Sequence, residues 1–140
     1  MPVIAKPPSS PAEPVEPTAS KPAGTATLAD GHRVRPIGGQ QLGQASYYGP
    51  EFNGRRMANG RRFDPRSTSV AHRTLPFGTK VLVTNLGNGR AATATVEDRG
   101  PFVQGRIIDL SPRLAEHLGM VVQGVAPVAV VPVELAEAPD

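Results

Sequence analysis

Apolar and polar side chains alternate with a period of two through most of the chain's second half. KVLVTN (residues 80–85) and AATATVE (91–97) both follow this rule, and Asn88-Gly89 between them is a hairpin signal. RIIDLS (106–111) reads as a short buried strand, and VVQGVAPVAVVPVEL (121–135) as a further one, with Pro127 and Pro132 pointing to a barrel edge or bulges. Upstream, residues 67–71 form a short run, and GQASYYG (43–49) alternates until Gly49-Pro50 breaks it. Helical spacing occurs convincingly only in SPRLAEHLG. There Ser111 is a good N-cap, Pro112 fills the first helical position, Leu114 and Leu118 share a face, and Gly119 stops the helix. About six strands and one helix predict a mainly β fold, a small barrel in preference to a bundle or a doubly wound sheet.

Composition restricts that fold to part of the chain. Seven of the sixteen prolines lie in the first 22 positions, mixed with Ser, Ala, Glu and Lys, and such a segment buries too little apolar surface to offset its chain entropy. The expected organisation is therefore a Pro-rich disordered linker over residues 1–40, one barrel domain over 41–135, and a disordered tail over 136–140. All six aromatic residues fall between Tyr47 and Phe102, inside the predicted domain.

Charge and cysteine content remove several function classes. The 140-residue chain carries a formal charge of +3, but residues 33–135 hold thirteen basic against seven acidic side chains, which suits an acidic or polyanionic partner. Nucleic acid is not the expected partner, because the sequence has neither a basic helix nor an aromatic-studded sheet motif. The chain has no cysteine, and His32, His72 and His117 lack a second ligand at helical or hairpin spacing, so no metal site is expected. No cofactor is expected either, since no Gly-rich phosphate loop precedes a helix. No run approaches the ~20 apolar residues of a membrane-spanning helix, and no basic start followed by an apolar run marks a signal peptide.

Two stretches could carry chemistry. In EFNGRRMANGRRFDPRS, Asn-Gly occurs at Asn53-Gly54 and Asn59-Gly60, which predicts a long, shaped surface loop. Its arginines suit an acidic ligand, or else form a solvated face. In VEDRGPF, Asp98 stands at the end of an apolar strand immediately before Arg99 and the Gly100-Pro101 break, a position suited to a proton-handling acid. A plain turn-capping aspartate paired with Arg99 is the competing reading. His72, in HRTLPFG, ends a strand that an antiparallel arrangement could bring beside Asp98. Strand alternation puts Glu97 on the face opposite Asp98.

Read together, GQASYYG, MANGRRFD, VAHRTLPFGTKVLVTN, NGR, VEDRGPF, GRIIDLS and the closing LGM and GVAPV resemble the rare lipoprotein A family over about residues 41–134. The resemblance implies a six-stranded double-psi β-barrel with one short helix, in a bacterial envelope protein of the periplasm or outer membrane. Active members are endolytic lytic transglycosylases that cleave peptidoglycan glycan strands to anhydro-muramyl ends, preferring strands stripped of peptides. It also implies a catalytic role for Asp98 and an assisting role for His72. Tyr47, Tyr48, Asn59, Arg61 and Arg99 are expected to bind the substrate in the sugar cleft, with Tyr48 stacking on a sugar because aromatics beside a groove suit saccharide faces. A monomer is expected.

Two positions of one loop depart from the family. Its loop usually reads Thr-Ala-Asn-Gly-Glu, whereas Met57 and Arg61 stand at the first and last places here. An arginine in place of that functional glutamate would favour the ionised form of a nearby acid. Because the attacking group in lytic cleavage is the muramyl C6 hydroxyl rather than water, one carboxylate can serve both proton transfers, unlike ordinary glycoside hydrolysis. Glu51, in the same loop system, is the better substitute carboxylate. Two functions follow: a lytic transglycosylase acting through Asp98, or a non-catalytic, expansin-like polysaccharide-binding barrel disabled by Arg61.

Overall fold

A computed structural model describes residues 26–27 and 33–135. Its strands are β1 (Ala26–Thr27), β2 (Arg33–Pro36), β3 (Gln41–Tyr47), β4 (Ser69–Ala71), β5 (Lys80–Asn85), β6 (Ala91–Asp98), β7 (Arg106–Leu110) and β8 (Ala126–Leu135), with one helix, α1 (Pro112–His117). Six of them close a ring in the order β3-β7-β4-β6-β5-β8, the final β8–β3 pairing completing it. Two contacts in that ring, β3–β7 and β4–β6, are parallel and the remaining four are antiparallel. This is the double-psi β-barrel.

The parallel pairs explain why the chain needs long connections. Tight hairpins join only antiparallel neighbours, so β3 cannot turn directly into its partner β7. Chain direction is instead reversed through the long segment between β3 and β4, and that segment becomes the predicted surface loop. The β5–β6 hairpin does form where Asn88-Gly89 was read, with Gly89 N–H donating to the Asn85 carbonyl at 2.7 Å.

Inward positions alternate as the sequence requires. Val81, Val83, Ala94, Val96, Val128 and Val130 fill the barrel with Ile108 and Leu110, each at most 2% exposed. Helix α1 plugs one side of this core through Leu114 and Ala115, with Leu118 and Met120 following it into the interior. Ser111 caps it, its Oγ accepting from Leu114 N–H at 3.3 Å, and Gly119 takes the left-handed φ of 70° that ends it.

Two boundaries differ from the sequence reading. β8 starts at Ala126 rather than Val121, because Gly124, at φ 78°, closes a turn whose N–H donates to the Met120 carbonyl. Within the span read as linker, Arg33–Pro36 forms β2 against β8, with Val34 buried and Arg35 paired to Glu134 at 2.6 Å. A single apolar residue among charges gave too weak an alternation to mark that strand. Residues 1–25, 28–32 and 136–140, which hold the rest of the predicted linker and tail and His32, lie outside the described residues.

Candidate active site

The site begins with a break in strand alternation. β4 and β6 pair in register as Ser69 with Thr95 and Val70 with Val96, but Ala71 then faces Asp98, not Glu97. This is a β-bulge, in which two residues of one strand oppose one of the other. Val70 and Val96 point into the barrel core, so Ala71 and Asp98 take the outer face. Glu97 is on that face too, since its carboxylate accepts from the Ser69 hydroxyl, and Ser69 lies two residues from Ala71 along β4. The expectation that Glu97 faces away from Asp98 is thus corrected: the bulge cancels the alternation on which it rested.

Above this face the β3–β4 segment folds into a hairpin-like loop. Arg56 and Arg62 form an isolated bridge, Phe63 N–H donates to the Arg55 carbonyl and Met57 N–H to the Arg61 carbonyl, both at 2.7 Å. Gly60, at φ 92°, makes the turn, a backbone conformation that L side chains rarely adopt. Met57 and Phe63 anchor the loop by packing with Tyr48 and Ala71 in a second small core outside the barrel.

That arrangement aims three donors at Asp98. Tyr48 Oη donates to Oδ2 at 2.6 Å, while the Ala58 and Arg99 backbone N–H groups donate to Oδ1 at 2.8 and 2.9 Å. Asp98 is an acceptor in all three bonds. Burial raises the Tyr48 phenol pKa well above its ordinary value, reinforced by the hydrogen bond to Asp98 and by the charges of Asp98 and Asp109, so Tyr48 stays a neutral donor. Its ring is only 8% exposed and stacks on Phe63 with centroids 4.2 Å apart. Tyr48 therefore holds the Asp98 carboxylate through its hydroxyl, and Phe63 covers one face of its ring.

His72 is buried and stitched into the same strand end. Its N–H donates to the Asp98 carbonyl at 3.1 Å. The ring Nδ1 accepts from the Thr74 and Leu75 N–H groups, both at 3.2 Å, which leaves Nε2 to donate to Gln41 Oε1 at 2.9 Å. Burial lowers its pKa, with Arg99 and Arg73 adding to the effect. The ring's hydrogen bonds thus go to Gln41 and the following turn, and not to the Asp98 carboxylate.

The remaining predicted residues divide between site and scaffold. Asn59 sits at the loop tip, its side chain accepting from Arg61 N–H at 2.9 Å and its own N–H donating to the Glu97 carbonyl at 3.3 Å. Arg61, with a side chain 73% exposed, approaches Glu97 Oε2 at 3.8 Å; its ion-pair partner is Glu97 rather than Asp98. Arg99 clamps the turn after β4 by donating to the His72 and Leu75 carbonyls at 3.0 and 2.8 Å, and it lies over the Phe77 ring. Tyr47 donates to the Val121 carbonyl at 2.8 Å and packs against the barrel core. Of the loop arginines, Arg56 and Arg62 brace the loop itself by donating to the Gly60 and Gly54 carbonyls.

Two features escaped the sequence reading. Arg73 mirrors Arg99 by donating to the Pro101, Val103 and Arg106 carbonyls, so each loop beside Asp98 is held by an arginine of the other. Phe102 is 77% exposed, and its ring lies within 3.7 Å of where a side chain on Gly100 would begin. An aromatic directly after the Gly-Pro break was the available signal. Among the described residues no cluster of His, Cys, Asp and Glu could hold a metal ion.

The family model described as lytic transglycolase, a double-psi β-barrel family, matches residues 40–130, which contain the whole of this constellation. The chain belongs to that family. A Synechocystis protein named "Probable endolytic peptidoglycan transglycosylase RlpA" is 55% identical over 87 residues, covering 62% of this chain and 27% of the relative. Endolytic peptidoglycan transglycosylase RlpA of Campylobacter jejuni is 47% identical over 92 residues, covering 66% and 34%. The chain thus spans about a third or less of those relatives' lengths. Among solved structures, Streptomyces papain inhibitor superposes with a TM-score of 0.57 at 28% identity, over 71% of this chain and 98% of that one. A Clavibacter michiganensis expansin, solved in complex with cellohexaose, has a TM-score of 0.53 at 20% identity over 71% and 53%, and shares the fold.

Proposed function

We propose that this family member is an endolytic lytic transglycosylase of the bacterial cell envelope, cleaving the bond between N-acetylmuramic acid and N-acetylglucosamine in peptidoglycan strands. The observation that carries the reading is the Asp98 carboxylate held by Tyr48, Ala58 and Arg99 at a strand end beneath the loop. A carboxylate fixed by three donors keeps one geometry, as proton abstraction from a positioned hydroxyl requires. In this reading Asp98 takes the proton of the muramyl C6 hydroxyl, whose oxygen then attacks the anomeric carbon without water. His72 is a positioning residue that holds the Asp98 backbone and the adjoining turn. Asn59 and Arg61 stand at the loop tip where a glycan would lie, and the exposed face of Phe102 offers the apolar surface for a sugar ring.

A second reading rests on the Arg61–Glu97 approach, which places a cation where the family carries a functional glutamate. There the same cleft binds polysaccharide without turnover. Digestion of peptide-free glycan strands separates the two. Anhydro-muramyl products that disappear in Asp98→Asn support cleavage, whereas retention on the strands with no products from the unmodified chain supports binding alone.

A further inference from the structure

We propose that Glu97 is the proton donor of this site, working beside Asp98 as acceptor; the inference rests on the transglycosylase reading above. The bulge between β4 and β6 delivers both side chains to one face, and the two carboxylates differ in how their oxygens are used. Both oxygens of Asp98 already accept, Oδ1 from two backbone N–H groups and Oδ2 from Tyr48. Glu97 Oε1 accepts from Ser69 Oγ, but Oε2 has no hydrogen-bond donor among the described residues, only the Arg61 guanidinium at 3.8 Å. Oε2 is therefore the carboxylate oxygen left open to a ligand.

The surroundings suit that role. The Glu97 side chain is 20% exposed, enough to meet a ligand while anchored by Ser69, and Asn59 N–H ties the loop tip to the Glu97 carbonyl. Arg61 is so exposed that its ion pair is weak and readily exchanged for a carboxylate on an acidic glycan, and that exchange takes from Glu97 the cation that would otherwise favour its ionised form. The tip that would lie over a bound strand thus sits directly on Glu97.

In the step, Glu97 Oε2–H protonates the glycosidic oxygen as the bond from that oxygen to the muramyl C1 breaks, and the bond's electron pair stays with the leaving oxygen. The C6 hydroxyl oxygen forms the new bond to C1 and loses its proton to Asp98. One proton passes from Glu97 to the departing sugar and one from the muramyl hydroxyl to Asp98. Exchange with solvent restores both groups, and no water or oxidant is consumed.

Leaving-group dependence tests the assignment. Glu97→Gln and Asp98→Asn would be compared with the unmodified chain on peptide-free strands. The second substrate is a glycan fragment bearing 4-nitrophenol on the muramyl C1, which departs without needing a proton. For Glu97→Gln, strand cleavage should fall by about 10²- to 10⁴-fold while nitrophenol release falls by less than about tenfold. Asp98→Asn should lose both. Unchanged strand cleavage in Glu97→Gln, or equal loss on the two substrates, overturns the donor role while the Asp98 result upholds the transglycosylase reading. No product from the unmodified chain on either substrate overturns both.

Discussion

Tyr48 carries two jobs at once, and a conservative change separates them. Tyr48→Phe keeps the ring stacked on Phe63 but removes the hydrogen bond to Asp98. Stability should fall by about 1.5–3 kcal/mol, the range for a hydrogen bond to a charged group. Strand cleavage should drop at least about tenfold because the carboxylate loses one of its fixed donors. Denaturant titration and product release measure the two separately; full activity in Tyr48→Phe would mean the hydroxyl does not position the acid. His72 supplies a pH signature. Its folded pKa lies below the ordinary 6.5, so near and below that value the unfolded chain binds more protons than the folded one. The stabilisation it provides is whole above pH 6.5 and is lost as pH falls through the lowered folded value. Unfolding free energies from pH 8 to 5 should show this slope, and His72→Gln should flatten it.

At the scale of elements, the loop between β3 and β4 governs whether the site exists. Its hairpin-like pairing places the Ala58 N–H on Asp98, and Gly60 makes the turn at a left-handed φ of 92°. Gly60→Ala has open space for the methyl group but must hold that backbone conformation, at a cost of about 1–2 kcal/mol. Because the cost falls on the loop, amide exchange at Ala58 and Asn59 should quicken while exchange in β5 and β8 stays unchanged. Uniform acceleration across the barrel would show that the loop unfolds only with the whole domain. This loop was recognisable in advance from its two Asn-Gly pairs. Its anchoring by Met57 and Phe63 was not, because their partners Tyr48 and Ala71 stand just after β3 and in β4, several residues away in the chain.

For the molecule as a whole, sequence sufficed wherever one residue's environment depends on near neighbours. The alternation of β5 and β6, their Asn-Gly turn, the Ser111 cap and the run of motifs leading to the double-psi fold were all legible, since each is set by local geometry with period two or 3.6. Asp98 was legible as a candidate acid for the same reason, standing where an apolar strand meets a Gly-Pro break. The tertiary structure decided everything that depends on strands distant in the chain. A one-residue slip between β4 and β6 put Glu97 beside Asp98 instead of behind it, and Arg61, read as a neighbour of Asp98, met Glu97 instead. Ring closure set Tyr48 beneath the loop, where its hydroxyl meets the Asp98 carboxylate and its ring stacks on Phe63. Alternation along a strand fixes which face a side chain takes only while the pairing register is unbroken, and that register belongs to the partner strand.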